Sequence, residues 1–132
     1  MKSYKIKFPH GIMFHHFHGK NHPIVQGSIG EETLSDIIEF IGIENILNAD
    51  EWAHKFQNHT LKSNQVCLTF DDALKSQVDI ALPKLRSNGL TGFFSFILQY
   101  LKELKKNLKF IDILELHNFP ALTIFMKSFS II

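Results

Sequence analysis

The sequence lacks the features that mark disulfide-linked, nucleic-acid-binding and membrane-spanning proteins. Its one cysteine, Cys67, lies in an apolar segment, so we expect a packed thiol rather than a redox or catalytic one. The 14 Lys and Arg residues are balanced by 13 Asp and Glu residues, so no basic surface indicates nucleic acid or an anionic membrane as a partner. No apolar run approaches the roughly 20 residues of a membrane-spanning helix. Because the amino-terminal residues also lack the apolar core of a signal peptide, we expect a cytoplasmic protein.

Internal repeats, low-complexity tracts and linkers are absent before Ile97. A chain of 132 residues corresponds to roughly one domain. After Ile97 the pattern changes: residues 98–116 predict an amphipathic helix, and residues 121–132 are apolar and nearly uncharged. An apolar end of this kind needs burial to avoid aggregation. We therefore expect a structured part over residues 1–97 and a divergent tail over residues 98–132.

An apolar segment that ends in two carboxylates is the most informative stretch of the chain. The residues Val66–Phe70 are β-branched, aromatic or small, which is typical of a strand buried on both faces in a parallel sheet. Asp71 and Asp72 follow directly. A helical pattern over residues 76–87 and an apolar run over residues 92–97 complete a strand–helix–strand unit. The carboxyl ends of parallel strands carry the chemistry of most α/β proteins, so the aspartate pair is a candidate site.

Histidine is the second unusual feature. The chain has eight histidines, and five of them lie within residues 10–22. Residues 11–17 predict a first strand, with His15, His16 and His18 near its end. If both strand ends meet at one edge of a sheet, these imidazoles would lie near the two carboxylates.

Two capping patterns predict helices between the strands. Ser28 and Glu31 have the spacing of a capping box before an apolar helical stripe. Residues 43–47 predict a short strand, and Asn48 with Glu51 repeats the capping spacing before a second short helix. The whole pattern predicts an α/β fold of parallel strands alternating with helices.

Two separated regions resemble the polysaccharide deacetylases, carbohydrate esterase family four. The first motif region of that family is similar to residues 69–73 (TFDDA), followed by residues 80–85 (IALPKL) and 93–96 (FFSF). Residues 11–16 (GIMFHH) resemble the first strand of the family, in which a methionine, an aromatic residue and a histidine follow one another. The two regions occur in the family's order, and the resemblance covers approximately residues 11–97.

The resemblance implies a partial (β/α) barrel and the metal-dependent hydrolysis of N-acetyl groups on a carbohydrate substrate. It implies that Asp71 is the general base and that Asp72 binds a divalent metal, zinc or similar, which lowers the pKa of a bound water. His15 and His16 are expected to contact the carbohydrate. Ala73 departs from the family, which usually has glycine at this position.

The expected metal site is incomplete in the sequence. The family adds two histidines, four residues apart, downstream of the aspartates, whereas only His117 lies downstream here. A catalytic zinc typically has three protein ligands. A full barrel takes about 250 residues, so this chain supplies about half of one, and open sheet edges favour self-association. We therefore expect an incomplete chain that is weakly active or inactive, and a frameshift near Ile97 would explain the divergent tail.

Three alternatives stay open. Asp71 and Asp72 could simply cap the helix that follows them. Asp72 could join His15, His16 or His18 in a makeshift metal site, since imidazole and carboxylate both suit zinc. The chain could also be a non-catalytic remnant, or a small interaction protein that uses the half-barrel.

Overall fold

The computed structural model describes residues 5–94 of the protein, which form an α/β structure. In chain order the elements are β1 (His10–Phe14), α1 (Glu31–Ile41), a 3-10 helix (Ile43–Asn45), α2 (Ala49–Gln57), β2 (Val66–Phe70), a π-helical turn (Gln77–Ala81), α3 (Leu82–Ser87) and β3 (Phe93–Phe94). The predicted helix over residues 98–116, the apolar tail and His117 lie outside the described residues. None of the helices within residues 5–94 is long and apolar enough to cross a bilayer.

The three strands form one parallel sheet in the order β1-β2-β3. The register pairs Phe14 with Phe70, and Phe70 with Phe94. β1 and β2 therefore end level with one another, and the residues that follow these two strands leave the sheet at the same edge. This arrangement confirms the predicted parallel strand–helix–strand unit, with β2 in the centre.

Three stacked phenylalanines join the strands on the side of the sheet that the core covers. The ring centroid of Phe70 lies 5.4 Å from that of Phe14 and 4.5 Å from that of Phe94. Helix α1 adds Leu34 and Ile38 to the same cluster. Phe70 is fully buried, so the centre of the core lies one residue before the aspartate pair.

The opposite side of β2 is also buried at Cys67, as a strand covered on both faces requires. Its side chain is 3% exposed, and burial raises the pKa of the thiol to about 12. A thiol with so high a pKa is almost entirely protonated at neutral pH and is a poor nucleophile. The expectation of a packed thiol is confirmed.

The structure corrects two of the predicted boundaries. Strand β1 ends at Phe14 rather than Phe17, because residues 16–18 turn away and exchange backbone hydrogen bonds with Ile29. The short strand predicted over residues 43–47 is wrong, since most of it is the 3-10 helix. Only the end of that segment reaches the sheet, through an isolated parallel bridge between Ile46 and Val66.

The predicted capping box at the start of α1 is wrong. Gly30 occupies the N-cap position, and Ser28 lies two residues too early to cap the helix. The Ser28 hydroxyl instead lies 2.9 Å from His18 Nδ1 and accepts a hydrogen bond from the Val25 backbone N–H.

Helix α2 begins after Asn48 as predicted, but its cap comes from a distant residue. The Ala49 backbone N–H donates to the Thr91 hydroxyl at 3.0 Å. The Asn48 side chain accepts a hydrogen bond from the Thr91 N–H at 2.8 Å instead of capping its own helix. The start of α2 is therefore fixed by the loop that leads into β3.

Candidate functional site

The candidate site lies at the edge of the sheet where β1 and β2 end. The Asp71 N–H donates to the Phe14 carbonyl at 3.1 Å, which extends the pairing of the two strands by one residue. Beyond this hydrogen bond the segments that follow β1 and β2 separate. His15 and Asp72 are therefore the first residues on each side that leave the sheet.

The structure brings His15 and Asp72 into contact. His15 Nδ1 lies 3.1 Å from Asp72 Oδ2, and the two side chains are 44% and 60% exposed. Because a carboxylate can only accept a hydrogen bond, Nδ1 carries the proton in this contact and Nε2 is left as the free ring nitrogen. The pair faces solvent, where a water molecule or a polar ligand can reach it.

The backbone of Asp72 and Ala73 adopts the left-handed conformation, with φ values of 72° and 49°. Aspartate tolerates this region fairly well, but the Cβ of alanine is disfavoured there by roughly 1 kcal/mol. A glycine at the position of Ala73 would adopt this conformation without the cost. The strained turn places the Asp72 carboxylate against His15, so this carboxylate does not cap the following helix.

The other two predicted site residues lie beside this contact. Asp71 is partly buried, and both of its backbone polar groups are engaged, the N–H with Phe14 and the carbonyl with Gln77. His16 is exposed, and its carbonyl accepts a hydrogen bond from Ile29. Within residues 5–94 no hydrogen bond or ion pair joins the His16 imidazole to Asp72.

Histidines 18 and 22 have other partners. His18 pairs with the Ser28 hydroxyl, as described above, and His22 Nε2 lies 2.8 Å from Asp79 Oδ2. Lys75 binds the same Asp79 oxygen. Partial burial opposes ionisation of Asp79, but the hydrogen bonds from Lys75 and His22 outweigh it and hold the pKa of this carboxyl below its ordinary value.

A complete zinc site is not formed by the described residues. In residues 5–94 no three His, Cys, Asp or Glu side chains converge as metal ligands. Asp72 and His15 supply two donors, one fewer than a catalytic zinc typically takes from protein. The makeshift site that would include His18 is also not formed, because His18 faces Ser28. The residues present therefore do not fit a catalytic zinc on their own.

Sequence reasoning missed Gln77, which joins the two strand ends. Its side chain is 1% exposed, and its Nε2 donates to the His15 carbonyl at 2.8 Å and to the Asp71 carbonyl. A signal was available, because Gln77 precedes Ala81 and Leu85 at steps of four residues and therefore extends the buried stripe of the helix. A polar residue on such a stripe needs a buried partner.

An apolar groove of about 380 Å³ lies apart from this site, along the amino-terminal half of β1. Neither His15 nor Asp72 contributes to it. The residues that line it belong to β1 and α1: His10, Gly11, Ile12, Ile37, Phe40 and Ile41.

Fold and site together define an α/β protein with a carboxylate–imidazole pair at the carboxyl edge of a parallel sheet. In comparisons with known proteins, no family model, no curated protein and no solved structure matches the chain. The deacetylase resemblance therefore depends on the motifs in residues 11–16 and 69–73.

Proposed function

We propose that this chain is a polysaccharide deacetylase-like protein, built on the first strands of a (β/α) barrel and directed at N-acetylated carbohydrate. In this proposal Asp71 is the general base and Asp72 faces a divalent metal. His15 and His16 border the carbohydrate. The chain is weakly active or inactive.

The observation that supports the proposal is the contact between His15 and Asp72. The two segments that resemble the family, residues 11–16 and 69–73, are far apart in the sequence. They lie side by side in the parallel sheet, with Met13 opposite Thr69 and Phe14 opposite Phe70. The motif histidine and the motif aspartate are 3.1 Å apart, which is compatible with one site formed by both motifs.

The residues of this chain can perform part of the reaction. A carboxylate such as Asp71, partly buried beside an exposed edge, can accept a proton from an attacking water. A bound divalent metal would supply the acidified water and polarise the amide carbonyl. Because the described residues provide only two donors for that metal, we expect weak metal binding and little turnover.

The first test is metal binding by the purified chain, measured by calorimetry with Zn²⁺ and Co²⁺. The proposal predicts that Asp72→Asn weakens binding by about tenfold or more, since it removes a charged ligand. Asp36→Asn is the matched control, because Asp36 lies on the exposed surface of α1. Equal affinity in the wild type and Asp72→Asn would remove the metal assignment.

The second test is acetate release from N-acetylated glucosamine oligomers in the presence of Co²⁺ or Zn²⁺. We expect slow release by the wild type and none by Asp71→Asn, which cannot accept the proton. Release that is the same in both proteins would show that Asp71 is not the base. If the wild type neither binds metal nor releases acetate, the enzymatic proposal fails for this chain.

The apolar groove beside β1 favours a second candidate, self-association with another copy of the chain. β1 is an edge strand of the described sheet. Met13 within it is 56% exposed, and Phe8 just before it is 63% exposed. With a formal net charge of only +1, two copies repel each other little. Edge strands of this kind pair readily with a second chain.

Sedimentation velocity at increasing concentration tests this candidate. Met13→Glu places a charge at the edge strand and should shift the distribution towards monomer. Phe56→Glu is the control, because Phe56 is 65% exposed on α2, away from the groove. A wild type that stays monomeric at all concentrations would exclude the second candidate.

A further inference from the structure

We infer that Gln77 is a positioning residue of the candidate site, holding the ends of β1 and β2 at the separation that lets His15 contact Asp72. The assignment of that contact to a deacetylase-like site rests on the proposed function. The positioning by Gln77 can be measured without metal or substrate.

Gln77 connects the segments that follow β1 and β2, just beyond the last hydrogen bond between these strands. The ladder between β1 and β2 ends with the bond from the Asp71 N–H to the Phe14 carbonyl. One step further, the Gln77 amide donates one N–H to the His15 carbonyl and the other to the Asp71 carbonyl. A single side chain thus continues the cross-linking of two strands that no longer pair directly.

The orientation of the Gln77 amide follows from its partners. Both partners are backbone carbonyl oxygens, which can only accept hydrogen bonds, so the NH₂ group and not the amide oxygen must face them. The side chain is 1% exposed, so a carbonyl that lost this donor would be left without a partner away from water. The Gln77 amide therefore has one preferred orientation, because any other would leave the two backbone carbonyls without their donor.

The preceding residue reinforces this connection. Ser76 is also buried, and its hydroxyl accepts a hydrogen bond from the Phe17 N–H at 3.4 Å. The start of the helical segment thus binds the chain after β1 at two points, His15 and Phe17. Gln77 is also the first residue of a π-helical turn, a feature that occurs frequently at functional sites.

Fixing the two carbonyls fixes the neighbouring side chains. One carbonyl that Gln77 binds belongs to His15, directly after β1, and the other belongs to Asp71, directly after β2 and before Asp72. Without these bonds, His15 and the strained turn at Asp72 can move apart while the sheet below them stays intact. The contact between the imidazole and the carboxylate would then be lost.

The tautomer of His15 reports this contact directly. In the wild type Nδ1 carries the proton because it donates to Asp72, whereas a free neutral imidazole favours the Nε2–H form. Long-range ¹H–¹⁵N spectra of the full chain, recorded at about pH 8.5 where an ordinary imidazole is neutral, distinguish the two forms. The His15 signal is assigned by its absence in His15→Gln.

We expect Gln77→Met to convert His15 from the Nδ1–H form to the Nε2–H form, and we expect the same of Asp72→Ala, which removes the acceptor. His18 is the internal control, because its Nδ1 faces Ser28 and not Gln77. Gln57→Met is the matched control, since Gln57 is exposed at the end of α2. The His18 signal should be the same in Gln77→Met as in the wild type, and His15 should stay in the Nδ1–H form in Gln57→Met.

Gln77→Asn provides a second variant that retains an amide but is too short to reach both carbonyls. If either variant keeps the His18 signal and His15 remains in the Nδ1–H form, the positioning role is overturned. If neither variant folds with the His18 signal intact, Gln77 is a folding determinant and the positioning role is likewise overturned. A failure of metal binding in the wild type contradicts only the proposed function, because this readout needs no metal.

Discussion

His15 Nδ1 and Asp72 Oδ2 lie 3.1 Å apart although the two residues are 57 positions apart in the sequence. Both side chains are well exposed, so water screens the attraction between them. Exposed pairs of this kind typically contribute about 0.2–1 kcal/mol. The contact is therefore expected to matter more for what the edge of the sheet binds than for the stability of the fold.

A double-mutant cycle with His15→Ala and Asp72→Ala tests this expectation. We predict a coupling free energy below about 1 kcal/mol from urea unfolding, because the pair is screened. Asp72→Ala should in addition weaken Co²⁺ binding, because it removes the proposed metal ligand. A coupling of several kcal/mol would show that the pair is a structural anchor instead.

Replacing Ala73 by glycine should stabilise the protein. Ala73 has a φ of 49°, a conformation that glycine adopts without steric cost, so we expect a gain of about 0.5–1 kcal/mol in the free energy of unfolding. Ala53→Gly in the middle of α2 is the matched control and should lose about 1 kcal/mol. Destabilisation by Ala73→Gly would mean that the turn has a different conformation in solution.

The ion pairs of Asp79 predict a dependence of stability on acid pH. The pKa of this carboxyl is lower in the folded than in the unfolded protein, so its contribution is present above the ordinary value of 3.8 and is lost as pH falls below it. Wild type should therefore be more stable than Asp79→Asn at pH 6, and the difference should shrink towards pH 3. Thermal unfolding across this range measures it. Lys75→Met removes one of the hydrogen bonds to Asp79. At pH 6 its free energy of unfolding should therefore exceed that of Asp79→Asn by less than the wild-type value does.

The single thiol reports the burial of β2. Because burial raises the pKa of Cys67 to about 12, the native protein should react very slowly with a thiol reagent at pH 8. Full reaction is expected in denaturant. Rapid labelling of the native protein would contradict the placement of β2 in the core.

Phe70 is the aromatic residue whose loss should damage the fold most. It is fully buried between Phe14 and Phe94, so we expect Phe70→Ala to lower the free energy of unfolding by about 3–5 kcal/mol. Phe56→Ala removes the same side chain from an exposed position on α2 and should change it by less than about 0.5 kcal/mol. Similar losses in the two variants would contradict the stacked core.

The central strand was predictable because its signal is local. Val66–Phe70 is a continuous apolar run bounded by polar residues, and the strand has these bounds in the structure. Its parallel neighbours follow from the helices that separate the strands. The meeting of His15 with Asp72 follows in turn, since the ends of parallel strands lie at one edge.

The connections made by single polar side chains were not predictable. Ser28 has the local spacing of a helix cap, yet its hydroxyl pairs with His18, and α2 is capped by Thr91 from a distant loop. Gln77 likewise donates to the carbonyls of His15 and Asp71, which follow two different strands. Each of these partners is determined by the folded arrangement, and a local pattern carries no information about it.

The cap of α2 also has a consequence for the order of events during synthesis. The hydroxyl that satisfies the Ala49 N–H belongs to a residue 42 positions later in the chain. At typical rates of translation, that residue is made roughly 2–8 seconds after the start of the helix. A ribosome-bound nascent chain that ends before Thr91 should therefore hold a frayed α2, and the helix becomes fully ordered only when the segment leading into β3 emerges.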